Sequence, residues 1–365
     1  MRRGLKPFLR WVGGKRWLTA RYGDMFPREF NRYIEPFVGS AAVFFYLLPE
    51  KAILGDINED LILTYEALRE DWCRVYELLK VHYEKHSKEY YTRVRKERPE
   101  AIFERAAWFL YLNSACFNGL CRYNLRGEFN APMGKEIKPL LPPEFWEEVS
   151  WALQAADLRV SDFEALVDLA GKGDFLFIDP PYALPEKRGF KDYVLKAFGW
   201  EDQERLLKAL SRALERGAVI LGTNVFNEGL VEMYREVFGE NLALVERVSC
   251  LAAKKEGRGK YREFIFWGNL EVPAELRPGL PLEDLTRNCF SLSISEGDFS
   301  KDGFQNSSSS EEGIGWMETE VAAWRWPDVS EGRHPAEGLV AVIEPVFKNW
   351  LRVRDGPFVE DQDFT

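Results

Sequence analysis

The stretch Phe175-Leu176-Phe177-Ile178-Asp179-Pro180-Pro181-Tyr182 sets four apolar residues against an acid, two prolines and an aromatic ring. A short apolar run bounded by a turn signal suits a buried strand, and the prolines forbid its continuation. Three further runs end the same way: Tyr33-Ile34 before Glu35, Ala52-Ile53-Leu54 before Gly55-Asp56, and Leu158-Arg159-Val160 before Ser161-Asp162. Helical patterns follow at Ala41 to Leu48, Leu61 to Arg69 and Glu201 to Glu215. Strands alternating with helices predict an α/β fold, a Rossmann-like doubly wound sheet. Ligands of such folds bind outside the carboxyl ends of the strands, where these four acids gather. That edge suits a cationic, hydroxyl-rich ligand, although each acid taken singly also reads as a helix cap or turn former. A fifth run, Ala218-Val219-Ile220-Leu221, reaches Thr223-Asn224, and Phe264-Ile265-Phe266-Trp267 is expected to close the sheet.

The turn itself has a chemistry. Its prolines remove two backbone donors, leaving the Asp179 carboxylate, the Pro180 carbonyl and the Tyr182 ring as an acceptor-rich corner. An exocyclic amine supplies the donors that this corner lacks, and a planar base can stack on the ring. Asp-Pro-Pro is also a common turn sequence, so the four residues alone leave both meanings open.

Residues 57–144 form an insertion too long for a crossover, a second domain distinct from the sheet-forming residues 1–56 and 145–270. Its first half is helical and charged; its second half, 113–134, is rich in Asn, Gly, Arg and aromatics and reads as loop and hairpin. Residues 271–365 read as an acidic tail, with the low-complexity linker Asn306 to Glu312 and a small packed segment at 313–365. The net charge of −10 belongs to that tail, which holds 19 acidic and 8 basic residues and leaves 40 and 41 for residues 1–270. A neutral body permits a basic face. With 46% hydrophobic residues in 365, the chain can bury a large core, and its apolar stretches are too short to span a membrane. No membrane partner and a cytoplasmic location are therefore expected. The five scattered cysteines, Cys73, Cys116, Cys121, Cys250 and Cys289, read as reduced thiols.

Five motifs in order carry a family resemblance over residues of about 6 to 270. They are Trp11-Val12-Gly13-Gly14-Lys15, Glu35-Pro36-Phe37-Val38-Gly39, Gly55-Asp56-Ile57-Asn58, the stretch from Asn118 to Asn130 (NGLCRYNLRGEFN), and Asp179-Pro180-Pro181-Tyr182. Together they resemble the Dam-type DNA adenine-N6 methyltransferases. The resemblance implies S-adenosylmethionine as methyl donor, no metal, and double-stranded DNA as partner. It also implies a prokaryotic or phage setting, in which a cognate restriction endonuclease can belong to the same system without direct contact.

By that resemblance Trp11 and Lys15 border the cofactor, Phe37 and Gly39 form the turn under its methionine part, and Asp56 accepts from the ribose hydroxyls. Asp162 and Phe163 hold the cofactor's adenine. Asp179, Pro180 and Tyr182 are the catalytic residues, and Asp179 also borders the cofactor. Ala41 stands where the family usually has a second glycine. The Gly-Gly-Lys is no phosphate loop, because Leu9 and Arg16 occupy positions where that loop needs Gly and Ser or Thr. The target adenine is expected to flip out of the duplex, since its amine is unreachable in the stack. Arg10, Phe117, Asn118, Leu120, Arg122 and Asn124 form the DNA-binding set. Within it, Arg122 suits a guanine edge, and Phe117 and Leu120 suit wedging between base pairs. Likeness of this hairpin to that of the GATC methylases makes GATC the expected site.

Lys254, Lys255, Arg258, Lys260 and Arg262 read as a basic loop for phosphates, or equally a solvated one. His82 and His86, at i, i+4 spacing without a third ligand, read as surface residues. Three alternatives remain at this point: an N4-cytosine methyltransferase, an RNA methyltransferase, and a catalytically silent DNA-binding protein regulated by its acidic tail.

Overall fold

The apolar runs become strands because residues buried on both faces of a sheet need no polar face. A computed structural model describes residues 4–124, 127–182, 198–248, 260–274 and 277. Strands β1 (Tyr33–Glu35), β2 (Ala52–Asp56), β3 (Ala156–Val160), β4 (Phe175–Ile178), β5 (Val219–Val225), β6 (Leu242–Val248) and β7 (Lys260–Gly268) make one sheet. Their order is β3-β2-β1-β4-β5-β7-β6, with β1 to β5 parallel and β7 antiparallel to both β5 and β6. The Phe264–Trp267 run therefore does not close the sheet as expected. β6 lies outside it at the edge, and its sequence LALVERV carries no alternation that separates strand from helix.

The chain steps outward from β1 to β3 and returns to β4 on the other side of β1. That reversal is the switch point of a doubly wound sheet, where a crevice opens at the carboxyl ends. Register sets Ile34 beside Ile53 and Leu176, so Glu35, Asp56 and Asp179 all follow at one edge.

Side chains alternate between the two faces. Tyr33, Leu54, Phe175, Phe177, Leu221 and Ile265 pack with α2 (Ala42–Leu47), α3 (Glu59–Glu84), α5 (Ile102–Ala115) and α6 (Pro143–Leu153). Ile34, Ile53, Leu176, Ile178, Ile220 and Phe266 pack with α7 (Phe163–Val167), α8 (Trp200–Glu215) and α9 (Glu228–Phe238). Two shorter helices, α1 (Arg16–Tyr22) and α4 (Lys88–Val94), complete the described set. The helices of the insertion thus share an apolar cluster with one face of the sheet, and residues 1–294 form one compact unit. Val272 also belongs to that cluster, so the packed chain runs past Leu270.

Two other expectations change. His82 and His86 are half-buried, with Nδ1 of each 2.9 Å from a tyrosine hydroxyl, Tyr90 and Tyr111 respectively. Burial pushes the His82 imidazole down to about 4. Arg262 lies in β7 and pairs with Glu246 at 3.2 Å, and Lys260 begins the same strand. Lys254, Lys255 and Arg258 lie outside the described residues, as do the hairpin-tip residues Leu125 and Arg126, Cys250, Cys289 and the stretch 306–365. Among the described residues no helix is long and apolar enough to cross a membrane.

Candidate active site

Trp11 to Gly14 form a tight turn, closed by Gly14 N–H donating to the Trp11 carbonyl at 3.1 Å, with Gly13 at φ +79°. The turn carries Lys15 to the start of α1, where its side chain is 3% exposed. The ammonium lies 2.9 Å from Asp179 Oδ2, donates to the Gly13 carbonyl at 2.5 Å, and sits 4.8 Å from the centre of the Tyr182 ring. The chain's own lysine thus rests against both the Asp179 carboxylate and the Tyr182 ring. On the other side, Thr223 at the end of β5 donates to Asp179 Oδ1 at 3.0 Å, and the Tyr182 hydroxyl donates to Glu263 Oε2 at 2.9 Å. Pro180 is buried beneath.

The Glu35-to-Gly39 turn runs beside this corner. Tyr33 donates to the fully buried Glu35 at 2.9 Å, and Tyr65 of α3 donates to the Gly39 carbonyl at 2.7 Å. Gly39 has φ +43°, and a Cβ there would meet the Trp11 indole at 2.7 Å, so the first and second motifs interlock through a missing side chain. Ala41 takes φ +53°, the left-handed region, which gives a physical reason for glycine at that position in the resembled family.

Burial raises the pKa of Glu35 well above the carboxylate range; the Tyr33 hydrogen bond opposes this, and the charges of Asp179 and Asp56 add to it. Burial likewise raises Asp179, against the pull of Lys15, and raises Asp56 against backbone N–H groups of Asn58 and Gly39. Glu35, Asp56, Asp179 and Glu263 therefore crowd one edge, an environment that favours a bound cation.

Asp56 accepts from Gly39 N–H at 3.2 Å and Asn58 N–H at 2.9 Å. Beside it, Ile57 is 64% and Val160 51% exposed, and Val160 stands opposite Asp56 in the β2–β3 register. Phe37 and Phe163 stack with centroids 5.4 Å apart, and Phe198 contacts both rings. Uncovered apolar surface next to a carboxylate, within an acidic edge, fits a nucleoside bearing a cationic sulfur. The residues present thus fit S-adenosylmethionine. Asp162 stands at the margin: it caps α7 through Glu164 N–H at 3.0 Å and pairs with Arg205 at 2.6 Å.

The hairpin residues form a second group. Asn113 ties the loops together, accepting from Arg10 N–H at 3.0 Å and donating to the Arg10 carbonyl at 2.8 Å. Because Trp11 follows Arg10, this clasp joins the hairpin base to the acidic corner. Phe117 to Gly119 make a single 3₁₀ turn, with Asn118 at φ +51°, and Leu120 follows half-buried. Isolated bridges Cys116–Met133 and Tyr123–Phe129 pair the two arms of this segment. Arg122 donates through Nε to Asn130 Oδ1 at 2.8 Å and through Nη2 to the Asn130 carbonyl at 3.2 Å, which leaves three of its five donors for other groups. Asn124 donates to Glu128 Oε2 at 2.7 Å. Sequence analysis missed Thr223, Glu263, Tyr33, Tyr65 and Phe198 as parts of this site. For Glu263 a signal existed, an acid set directly before the apolar run of Phe264 to Trp267.

Comparisons with known proteins give the family. A relative from Lactococcus lactis subsp. cremoris, named a Type II methyltransferase, is 34% identical over 271 residues, covering 72% of this chain and 94% of its own length. A Type II methyltransferase of Methanocaldococcus jannaschii is 34% identical, covering 69% and 96%. The DNA adenine methylase of Haemophilus influenzae is 34% identical, covering 71% and 92%. The family profile described as D12 class N6 adenine-specific DNA methyltransferase matches residues 11–248. The chain belongs to the D12 class of N6 adenine-specific DNA methyltransferases.

Proposed function

We propose that this enzyme methylates adenine N6 within GATC in duplex DNA, on a base flipped out of the helix, by direct in-line transfer. The observation that carries the chemistry is the corner of Asp179, Pro180 and Tyr182, whose acceptors and ring match an exocyclic amine on a planar base. S-adenosylmethionine, when bound, supplies the electrophilic methyl group. Asp56 would accept from its ribose hydroxyls, Asp162 and Phe163 would hold its adenine, Phe37 and Gly39 would form the turn under its methionine part, and Trp11 and Lys15 would border it. The Asp179 carboxylate and the Pro180 carbonyl accept the two N–H bonds of the target amine, which pushes electron density onto the nitrogen, while Tyr182 stacks on the ring. For that to happen the Lys15 ammonium yields its place at Asp179. Catalysis is then positioning and charge placement, with no covalent enzyme intermediate.

Residues 57–144 serve as the target-recognition region, with the hairpin at 113–134 entering the major groove. Arg122 addresses a guanine edge, Asn118 and Asn124 supply amides, Arg10 meets the backbone, and Phe117 and Leu120 fill the space that the flipped base leaves. A cytoplasmic role in a prokaryotic or phage setting belongs to the same reading, either alone or beside a cognate endonuclease. The test is to methylate DNA of random sequence with purified enzyme and sequence it with direct detection of modified bases. N6-methyladenine confined to GATC is expected. N4-methylcytosine, another site, or modification of structured RNA alone would overturn the proposal.

A further inference from the structure

We propose that Glu263 is a positioning residue for methyl transfer: with Thr223, it fixes the Tyr182 ring and the Asp179 carboxylate relative to the target base. This rests on the base-stacking role of Tyr182 proposed above.

Glu263 is 1% exposed in β7, with Val225 and Val245 opposite it on the neighbouring strands. A carboxylate is rarely kept in such a place without a dedicated partner. Its Oε2 accepts the Tyr182 hydroxyl at 2.9 Å, across 81 residues of chain. Register sets Val225 opposite Glu263 and Thr223 opposite Ile265, so Glu263 and Thr223 are diagonal neighbours on one face of the sheet. That face packs with α2 and α3, below the Lys15 loop. Thr223 holds Asp179 Oδ1 at 3.0 Å, and Lys15 holds Asp179 Oδ2 at 2.9 Å and covers the Tyr182 ring. Both working side chains of the turn are thus anchored by β5 and β7, outside the motif that contains them.

The two anchors differ in what happens when substrate arrives. Lys15 occupies Asp179 Oδ2, an acceptor that the amine needs, and has to leave. Glu263 holds the phenol by its far end, on the ring edge, so it leaves the ring face to a base once Lys15 has moved, while the ring's orientation persists. A hydrogen bond to a charged acceptor is strong enough to select one ring orientation.

The experiment compares wild type, Tyr182→Phe, Glu263→Leu, Glu263→Gln and the Tyr182→Phe/Glu263→Leu pair as full chains. Single-turnover methylation of a duplex oligonucleotide, S-adenosylmethionine affinity, and fluorescence of 2-aminopurine at the target position are read for each. Tyr182→Phe and Glu263→Leu should each slow the transfer step about 10- to 100-fold, the scale of one charged hydrogen bond. Cofactor affinity should hold, and the brightness of flipped 2-aminopurine should change alike in both. The pair should be no slower than either single variant. Glu263→Gln, which keeps an acceptor, should lose less than Tyr182→Phe, and this comparison decides if Glu263→Leu does not fold. Multiplying losses in the pair, or a Gln variant slower than the Phe variant, would overturn the proposal in favour of a purely structural acid. Wild type that puts no methyl on adenine in duplex DNA would sink the function itself, a result distinguishable from variants that merely match an active wild type.

Discussion

Asp179 meets three opposing demands. Burial favours its neutral form, Lys15 and Thr223 favour its charge, and the proposed chemistry needs a charged acceptor. Replacing it with alanine should lower kcat by about 10²- to 10³-fold or more, the cost of one preorganised polar group at a reacting centre. DNA binding by gel shift should stay largely intact; full activity would remove Asp179 from the mechanism. Glu35 is the more instructive acid for stability, because Tyr33 already satisfies one of its oxygens and burial still raises its pKa well above the usual range. Between the ordinary value, about 4.3 for glutamate, and the raised native one, the folded state binds more protons than the unfolded state. Stability therefore falls as pH rises through that window, and the whole penalty is present above it. Glu35→Gln, which keeps an acceptor for Tyr33, should raise the melting temperature at neutral and alkaline pH and leave it near wild type in acid. An offset that is equal at every pH would contradict this.

At the scale of elements, the hairpin is held beside its Tyr123–Phe129 bridge as well as at its base. The Tyr123 hydroxyl donates to Asp60 Oδ2 at 2.8 Å, next to the start of α3. Arg98 and Arg105 compensate the buried Asp60 carboxylate. Tyr123→Phe removes a bond to a charged acceptor, worth about 1.5–3 kcal/mol locally. It should weaken discrimination at every position of the recognition site together, because the whole hairpin is less well placed. Arg122→Ala should instead relax one base pair by about 1–3 kcal/mol, leaving the other positions nearly as selective. Binding to a panel of single-base variants of the site separates the two outcomes, and a uniform loss of affinity in Arg122→Ala would demote it to a phosphate contact. The contrast also shows what the sequence could disclose. Strands β1, β2, β4 and β5 were legible because each carries its signal within a few residues, an apolar run and the residue that ends it. Arg122 was legible only through its motif, and its bond to Asn130 lies within that motif. The hold of β7 on the Asp179 turn was not legible, since the bond from Tyr182 to Glu263 joins positions whose pairing depends on an antiparallel register set by the whole sheet. The β6 edge was missed for a similar reason: Leu242 to Val245 are all buried, and without alternation only their partner strand declares them a strand.

For the whole molecule, charge is the outstanding property. A net charge of −10 opposes DNA, yet residues 1–277 hold 42 acidic and 42 basic side chains, so the excess lies beyond Arg277. Competition with DNA by that tail needs a dense anionic block, since duplex DNA itself presents about one charge per 1.7 Å. In residues 278–365 there are 17 acids among 88 residues, no more than two of them consecutive, with 7 basic residues interspersed. Such spacing makes a poor mimic, and screening at about 0.1 M salt confines each charge to roughly 10 Å. The place to cut follows from packing: Val272 belongs to the apolar cluster and Arg277 donates to the Val272 carbonyl at 3.2 Å, so removal after Leu270 would damage the body, whereas removal after Arg277 spares every described residue. The chain ending at Arg277 should therefore bind and methylate DNA as the full chain does, at low and at physiological salt. If it instead bound several-fold more tightly at low salt, with the gain vanishing as salt rises, the acidic tail would be an electrostatic inhibitor of the basic groups that face DNA.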